Sequence, residues 1–154
     1  MSRDWRRARK GCGQCLALML NWKEIDLLNE TYNSRDEENR YVFYDGPPTA
    51  NGKPGIHHVM ARTLKDLTCR YHTMLGYKVN RKAGWDTHGL PIEQALTKKG
   101  VKRKELSIAE FRKKCEAFAL EQIELQKADF RRLGVNGDWD NPYITLKPEF
   151  EAAQ

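Results

Sequence analysis

The sequence predicts an α/β fold in which parallel strands are joined by a crossover helix and followed by a mostly helical segment. Three observations carry this reading. The β-branched and aromatic run Tyr41-Val42-Phe43-Tyr44 stops at Asp45-Gly46-Pro47-Pro48, residues that cannot extend a ladder. After a Gly/Pro loop, Met60, Leu64, Leu67, Tyr71 and Met74 recur at steps of 4, 3, 4 and 3, which is the spacing of one apolar helix face. Tyr77-Lys78-Val79-Asn80 then alternates as a second strand. Strand, loop, helix, strand is a βαβ unit with a right-handed crossover.

Taken in order, residues 1–20 form an ill-fitting leader. Arg6, Arg7, Arg9 and Lys10 precede the apolar run Cys15–Leu20. That run is shorter than a working signal-peptide core, and no small-residue cleavage site follows it, so secretion is rejected. Cys12-Gly13-Gln14-Cys15 has redox or half-zinc spacing. An Arg-rich stretch stands where a strand should precede a redox centre, and Cys69 and Cys115 stand alone, so no chemistry is assigned to it. From Asn21 the chain becomes orderly: Trp22, Ile25, Leu27 and Leu28 suggest a short helix before the polar break Asn33–Arg40. The crossover helix is expected from about Val59 to Leu75, with Gly76 at its C′ position.

In the second half, Ser107-Ile108-Ala109-Glu110 fits a capping box. Ile108, Phe111, Cys115, Phe118 and Ala119 continue an apolar stripe, and Gly134 closes that helix. A turn through Asn136-Gly137-Asp138 leads to a last helix from Pro148, a residue suited to the first turn. Glu149 and Glu151 favour the same helix start. The sequence stops about one turn later, too short for a stable helix, and the expectation is a longer protein that continues past residue 154.

Composition limits the function classes. A chain of 154 residues, 40% hydrophobic and with 15 aromatic residues, can build one core but not a multidomain enzyme. No apolar run is long enough to span a bilayer. Four unevenly spaced cysteines do not form a disulfide framework, which places the protein in the reducing cytoplasm. The net charge of +6 is unevenly spread: residues 1–10 carry +4, residues 98–114 carry +6 and residues 115–154 carry −4. Overall basicity is therefore a weak argument for nucleic acid, and the local segment a somewhat better one.

Two loops carry candidate chemistry. Thr49–Gly55 and His57-His58 precede a helix N-terminus, where exposed amide groups favour anions and small residues allow a phosphate to approach. The loop matches neither a P-loop nor a dinucleotide fingerprint. Adjacent histidines are also poorly spaced to share a metal, so no metal site is expected. Gly84-Trp85-Asp86-Thr87-His88-Gly89-Leu90-Pro91 follows the second strand at its carboxyl end, where open α/β sheets bind ligands. Asp86 there can hold a cation such as an α-amino group.

These residues resemble a known family. Asp45-Gly46-Pro47-Pro48-Thr49-Ala50-Asn51-Gly52, then Gly55-Ile56-His57-His58, then Gly84 through Glu93, are similar to the N-terminal part of class I aminoacyl-tRNA synthetases, specifically the isoleucyl type. The resemblance runs from about Asn21 to Gln154 and includes Tyr143 through Glu149. Residues 1–20 take no part. It implies the first half of a Rossmann-like nucleotide-binding fold over residues 21–154.

By that resemblance, Gly46 and Pro47 would line the amino-acid pocket and Asp86 would bind the α-amino group. Asn51, Gly52, Gly55, His57 and His58 would lie along ATP, which brings Mg²⁺ as part of the substrate complex. His58, with His57 beside it, would be the catalytic pair. The family signature His-x-Gly-His reads Gly55-Ile56-His57-His58 here: the last histidine is kept, Gly55 replaces the first, and His57 fills the glycine position. The implied partners are ATP, L-isoleucine and tRNA(Ile), for a monomeric, cytoplasmic protein that uses no membrane. The second signature loop, the editing insertion and the anticodon-binding region are missing, so this stretch should not aminoacylate tRNA alone.

Thr87-His88 followed by Leu90-Pro91-Ile92-Glu93 favours isoleucine over the leucyl and valyl branches, which remain alternatives. A small basic RNA-binding module on Lys98–Lys114 is the alternative from another class. It would want aromatics interleaved with the charge, and Phe111 instead fits the helix stripe. A geometric expectation follows: Asp86 should reach the Gly46-Pro47 loop and face His57-His58 across a space for an adenylate.

Overall fold

In the computed structural model, the described residues are 21 and 24–153; Trp22 and the leader 1–20, with Cys12 and Cys15, lie outside them. The elements are α1 (Leu27–Asn33), α2 (Ile56–Met74), β1 (Lys82–Trp85), α3 (Leu90–Lys98), a 3₁₀ turn (Arg103–Glu105), α4 (Ile108–Arg132), β2 (Asp138–Ile144) and α5 (Pro148–Glu151).

Local sequence signals set most boundaries. The Ser107 hydroxyl accepts from the Glu110 amide, and the Glu110 carboxylate accepts from the Ser107 amide at 3.0 Å, closing the expected capping box. Gly76 follows the Leu75 C-cap of α2 with φ 97°, and Pro148 opens α5. α4 runs 25 residues and ends just before Gly134.

The two expected strands are corrected. Tyr41–Tyr44 and Tyr77–Asn80 form no ladder, although their neighbours meet in parallel. Arg40 bridges Lys78 and Thr49 bridges Asp86. The first pair is offset by 38 positions and the second by 37. One extra residue must therefore be absorbed between the bridges, and Pro47 and Pro48 have no N–H to give a ladder. The ladder forms further along, where β1 pairs in parallel with β2. That pair also slips, from Lys82↔Asp138 to Gly84↔Tyr143. The strands come so close there that a Cβ on Gly84 would sit 3.0 Å from both the Cβ and the carbonyl oxygen of Tyr143. The three chain segments thus lie in the order 40–49, 78–86, 138–144, parallel throughout.

The core lies between β1 and the pair α3/α4. Trp85, Ile92, Leu96, Phe118, Ala119 and Ile123 cluster there with Ala50 and Ala83. Each large side chain contributes about 2 kcal/mol by leaving water. The expected α4 stripe is buried at Phe111, Phe118 and Ala119, with Cys115 packed against the cluster. Ile108 departs from it, 80% exposed at the first turn.

α2 turns its charged side inward. Its apolar stripe is exposed, at 61% for Met60, 62% for Leu64 and 60% for Leu67. The packed face carries Arg62, Asp66, Cys69 and Arg70. Asp66 Oδ1 accepts from Arg81 Nη1 at 2.8 Å and from the Asn136 amide at 3.2 Å, while Oδ2 accepts from Arg70 Nε at 2.5 Å. Arg70 Nη2 also donates to the Gly134 carbonyl at 2.6 Å. Asp66 thereby ties the crossover helix to the approach of β1 and to the turn before β2. Arg81 is buried, and burial pulls its guanidinium pKa down despite the opposing pull of Asp66.

Removing the carboxylate would leave that cation buried without its counter-ion. Asp66→Asn should destabilise the chain by about 3 kcal/mol, read as a lower urea midpoint at unchanged slope. Arg70→Gln, on a more exposed partner, should cost much less. Equal midpoints for Asp66→Asn and the parent would show that the network does not hold α2.

Candidate functional site

The expected site residues lie on three segments: the loop 45–55, the N-terminus of α2, and the loop 86–89 after β1. The second loop is held by backbone. The Asp86 amide donates to the Pro48 carbonyl at 2.9 Å, and the Ala50 amide donates to the Asp86 carbonyl at 2.8 Å. Its far side is pinned to the end of β2, where the Thr87 amide donates to Thr145 Oγ1 at 3.0 Å. Asp86 Oδ1 accepts from the His88 amide at 3.2 Å, an Asx-type turn that aims the carboxylate.

A cavity of about 920 Å³ opens between the segment 41–48, the charged face of α2, and strands β1 and β2. Asp86, Pro47, Trp85 and Phe130 are among its lining residues. Asp45 also faces it, its carboxylate ion-paired to Arg62 at 3.1 Å and to Lys65. The cavity thus unites Asp86 with Pro47. Gly46 is exposed beside it, and Asn51, Gly52, Gly55, His57 and His58 lie outside its lining.

The two histidines sit at the start of α2 with ring centroids 3.9 Å apart. His58 Nδ1 accepts from the Gly55 amide at 3.1 Å, capping the helix. Burial, then the neighbouring His57 and Arg62, lower the His58 pKa below 6.5. His58 is therefore neutral at pH 7, and with Nδ1 engaged as acceptor its proton resides on Nε2. That tautomer presents one N–H donor outward. A Cβ on Gly55 would lie 2.8 Å from His57 Cε1, so a larger residue there would push the exposed His57 ring aside.

Sequence reasoning missed Gln126. Its Nε2 donates to the Thr49 carbonyl at 3.0 Å and to the Gly52 carbonyl at 2.6 Å, and its Oε1 accepts from Trp85 Nε1 at 3.0 Å. A signal existed. Phe118, Gln122, Gln126 and Phe130 are spaced by four on α4, and all are buried. Amides on an apolar face demand partners.

The basic stretch 98–114 is partly consumed within the chain. Lys99 Nζ lies 4.5 Å from the Phe118 ring centroid, Arg103 pairs with Glu93 at 3.0 Å, and Lys102 pairs with Glu105 at 2.8 Å. Phe111 is buried, so it offers no stacking platform. Among the described residues no helix is long and apolar enough to cross a membrane.

The lowered His58 pKa has a sign. Its folded value lies below the unfolded one, so its stabilising contribution is complete above pH 6.5 and is lost as pH falls below that. An NMR titration of the imidazoles should place the His58 midpoint below 6.5, and His57→Gln should raise it by removing a repelling neighbour. A His58 midpoint above 6.5 would contradict the neutral tautomer.

Comparison with known proteins shows the family of the chain. The family described as tRNA synthetases class I (I, L, M and V) matches residues 17–154. The isoleucine–tRNA ligase of Staphylococcus saprophyticus is 61% identical over 133 residues, covering 86% of this chain and 14% of its own. That of Staphylococcus carnosus is 59% identical with the same coverage. The chain therefore spans about 14% of the length of the curated relatives it matches. Among solved structures, the agnB2 LeuRS of Agrobacterium radiobacter K84, in a ternary complex with tRNA and LeuAMS, superimposes with a TM-score of 0.66 at 25% identity. That match covers 88% of this chain and 15% of that one. By sequence profile, by close relatives and by fold, the chain belongs to the class I tRNA synthetases of the I, L, M and V group.

Proposed function

We propose that this chain supplies part of the ATP and amino-acid site of a longer enzyme that activates isoleucine and transfers it to tRNA(Ile). The observation that carries the reading is Asp86, held by backbone bonds to Pro48 and Ala50 and lining one cavity with Pro47. The preference for isoleucine is supported by relatives at 55–61% identity, all isoleucine–tRNA ligases. A partner tRNA is suggested by the complex in which the leucyl neighbour was solved.

In the first step a carboxylate oxygen of isoleucine attacks the α-phosphorus of ATP. The bond from that phosphorus to the oxygen bridging the β-phosphate breaks, and pyrophosphate leaves with Mg²⁺. Asp86 pairs with the α-ammonium and fixes the attacking carboxylate. Asn51, Gly52 and Gly55 line the path of ATP, with the start of α2 and His57 turned toward its phosphates. His58 donates from Nε2 to the charge that develops on phosphate. Gly46 and Pro47 border the side-chain pocket. The work is positioning and charge stabilisation, with no covalent intermediate on the protein. An apolar pocket separates side chains differing by one methylene by only about 1–3 kcal/mol.

The test is a chimera in which this chain replaces the matching 133 residues of the Staphylococcus saprophyticus ligase. ATP–pyrophosphate exchange should be fastest with isoleucine, slower with valine and negligible with leucine. A leucine preference would move the chain to another branch, and a folded chimera with no exchange would refute the reading. In the same chimera Asp86→Asn should lose about 3 kcal/mol of activation, roughly 100-fold, at unchanged melting temperature. Exchange near the parent rate would remove Asp86 as the amino-group ligand.

A further inference from the structure

We infer that Gln126 is a positioning residue for the activation step, one that sets the distance between the loop along ATP and the loop bearing Asp86. The inference rests on the proposed function and extends it to a residue 40 positions beyond Asp86.

The amide of Gln126 is used completely in one orientation. Its two N–H groups meet the carbonyls of Thr49 and Gly52, and its oxygen meets the Trp85 indole N–H. The flipped amide would set oxygen against two carbonyls and N–H against N–H, so the assignment is unique. Each partner borders the site. Thr49 and Gly52 bracket Asn51, and Trp85 immediately precedes Asp86. The residue is 3% exposed and its bond from Trp85 is buried, so water cannot replace that bond, while the Thr49 and Gly52 carbonyls are half-buried. α4 is a 25-residue rod packed on α3 and the core. Through Gln126 that rod is the common reference for both loops. No shorter or differently charged side chain does this: asparagine lacks a methylene of reach, and glutamate has no donor for two carbonyls.

A misplacement of about 1 Å can cost about 100-fold in rate, which makes the residue testable by kinetics rather than by stability alone. In the chimera described above, with rates normalised to active sites, Gln126→Met should lower kcat for isoleucine activation at least about tenfold. Gln126→Glu keeps the bond from Trp85 and loses the two to the loop. It should lower kcat and raise KM for ATP while KM for isoleucine stays within about twofold. Trp85→Phe removes the opposite arm and should raise KM for isoleucine more than KM for ATP. A purely structural glutamine would reduce the active fraction or melting temperature without this split. If both Gln126 variants keep normalised kcat and both KM values within about twofold of the parent, the inference is overturned. If Gln126→Met does not fold, Gln126→Glu and Trp85→Phe carry the same decision. A parent chimera that folds but exchanges nothing with isoleucine overturns the proposed function itself, whereas an active parent with indifferent variants overturns only the role of Gln126.

Discussion

The buried amide of Gln126 is the constraint on which the site geometry depends. Two loops that leave neighbouring parallel segments are joined directly around Asp86. Backbone bonds between Asp86 and residues 48 and 50 set their register. Gln126 ties both loops to a long helix, from the same buried face that packs into the core. A single side chain with two donors and one acceptor thus converts helix packing into loop placement. Leaving the buried Trp85 N–H unpaired costs more than the bond is worth when made.

The second constraint is electrostatic. Asp66 gathers Arg70, Arg81 and the Asn136 amide, while Asp45 gathers Arg62 and Lys65. Both hubs lie between α2 and the sheet, in the place where a crossover helix ordinarily presents apolar side chains. The helix is thereby held by charge, and its apolar stripe faces outward. His58 lies one helical turn before Arg62 on α2, where burial, then His57 and Arg62, lower its pKa.

Much of this was legible in the sequence. The capping box at Ser107, the stop at Gly76 and the helix start at Pro148 depend on neighbours within a few residues, and sequence spacing reports those directly. The two signature loops marked the candidate site for the same reason. The exact ladder was not legible, because a one-residue surplus between the Arg40 and Thr49 bridges is a property of two segments compared in space. Periodicity showed that α2 has an apolar face, but which face is packed is decided by Asp45, Arg81 and Asn136, far away in sequence. Gln126 was within reach: an amide four residues from Gln122 and Phe130 on a buried stripe has to find partners.

The most direct measurement is a crystal structure of the chimeric ligase with a non-hydrolysable isoleucyl-adenylate analogue. The account requires the analogue's ammonium to lie about 3 Å from the Asp86 carboxylate, with the phosphate mimic facing His58 Nε2 and Gln126 still bonded to Thr49, Gly52 and Trp85. An analogue seated elsewhere, or one bound with its ammonium away from Asp86, would contradict it.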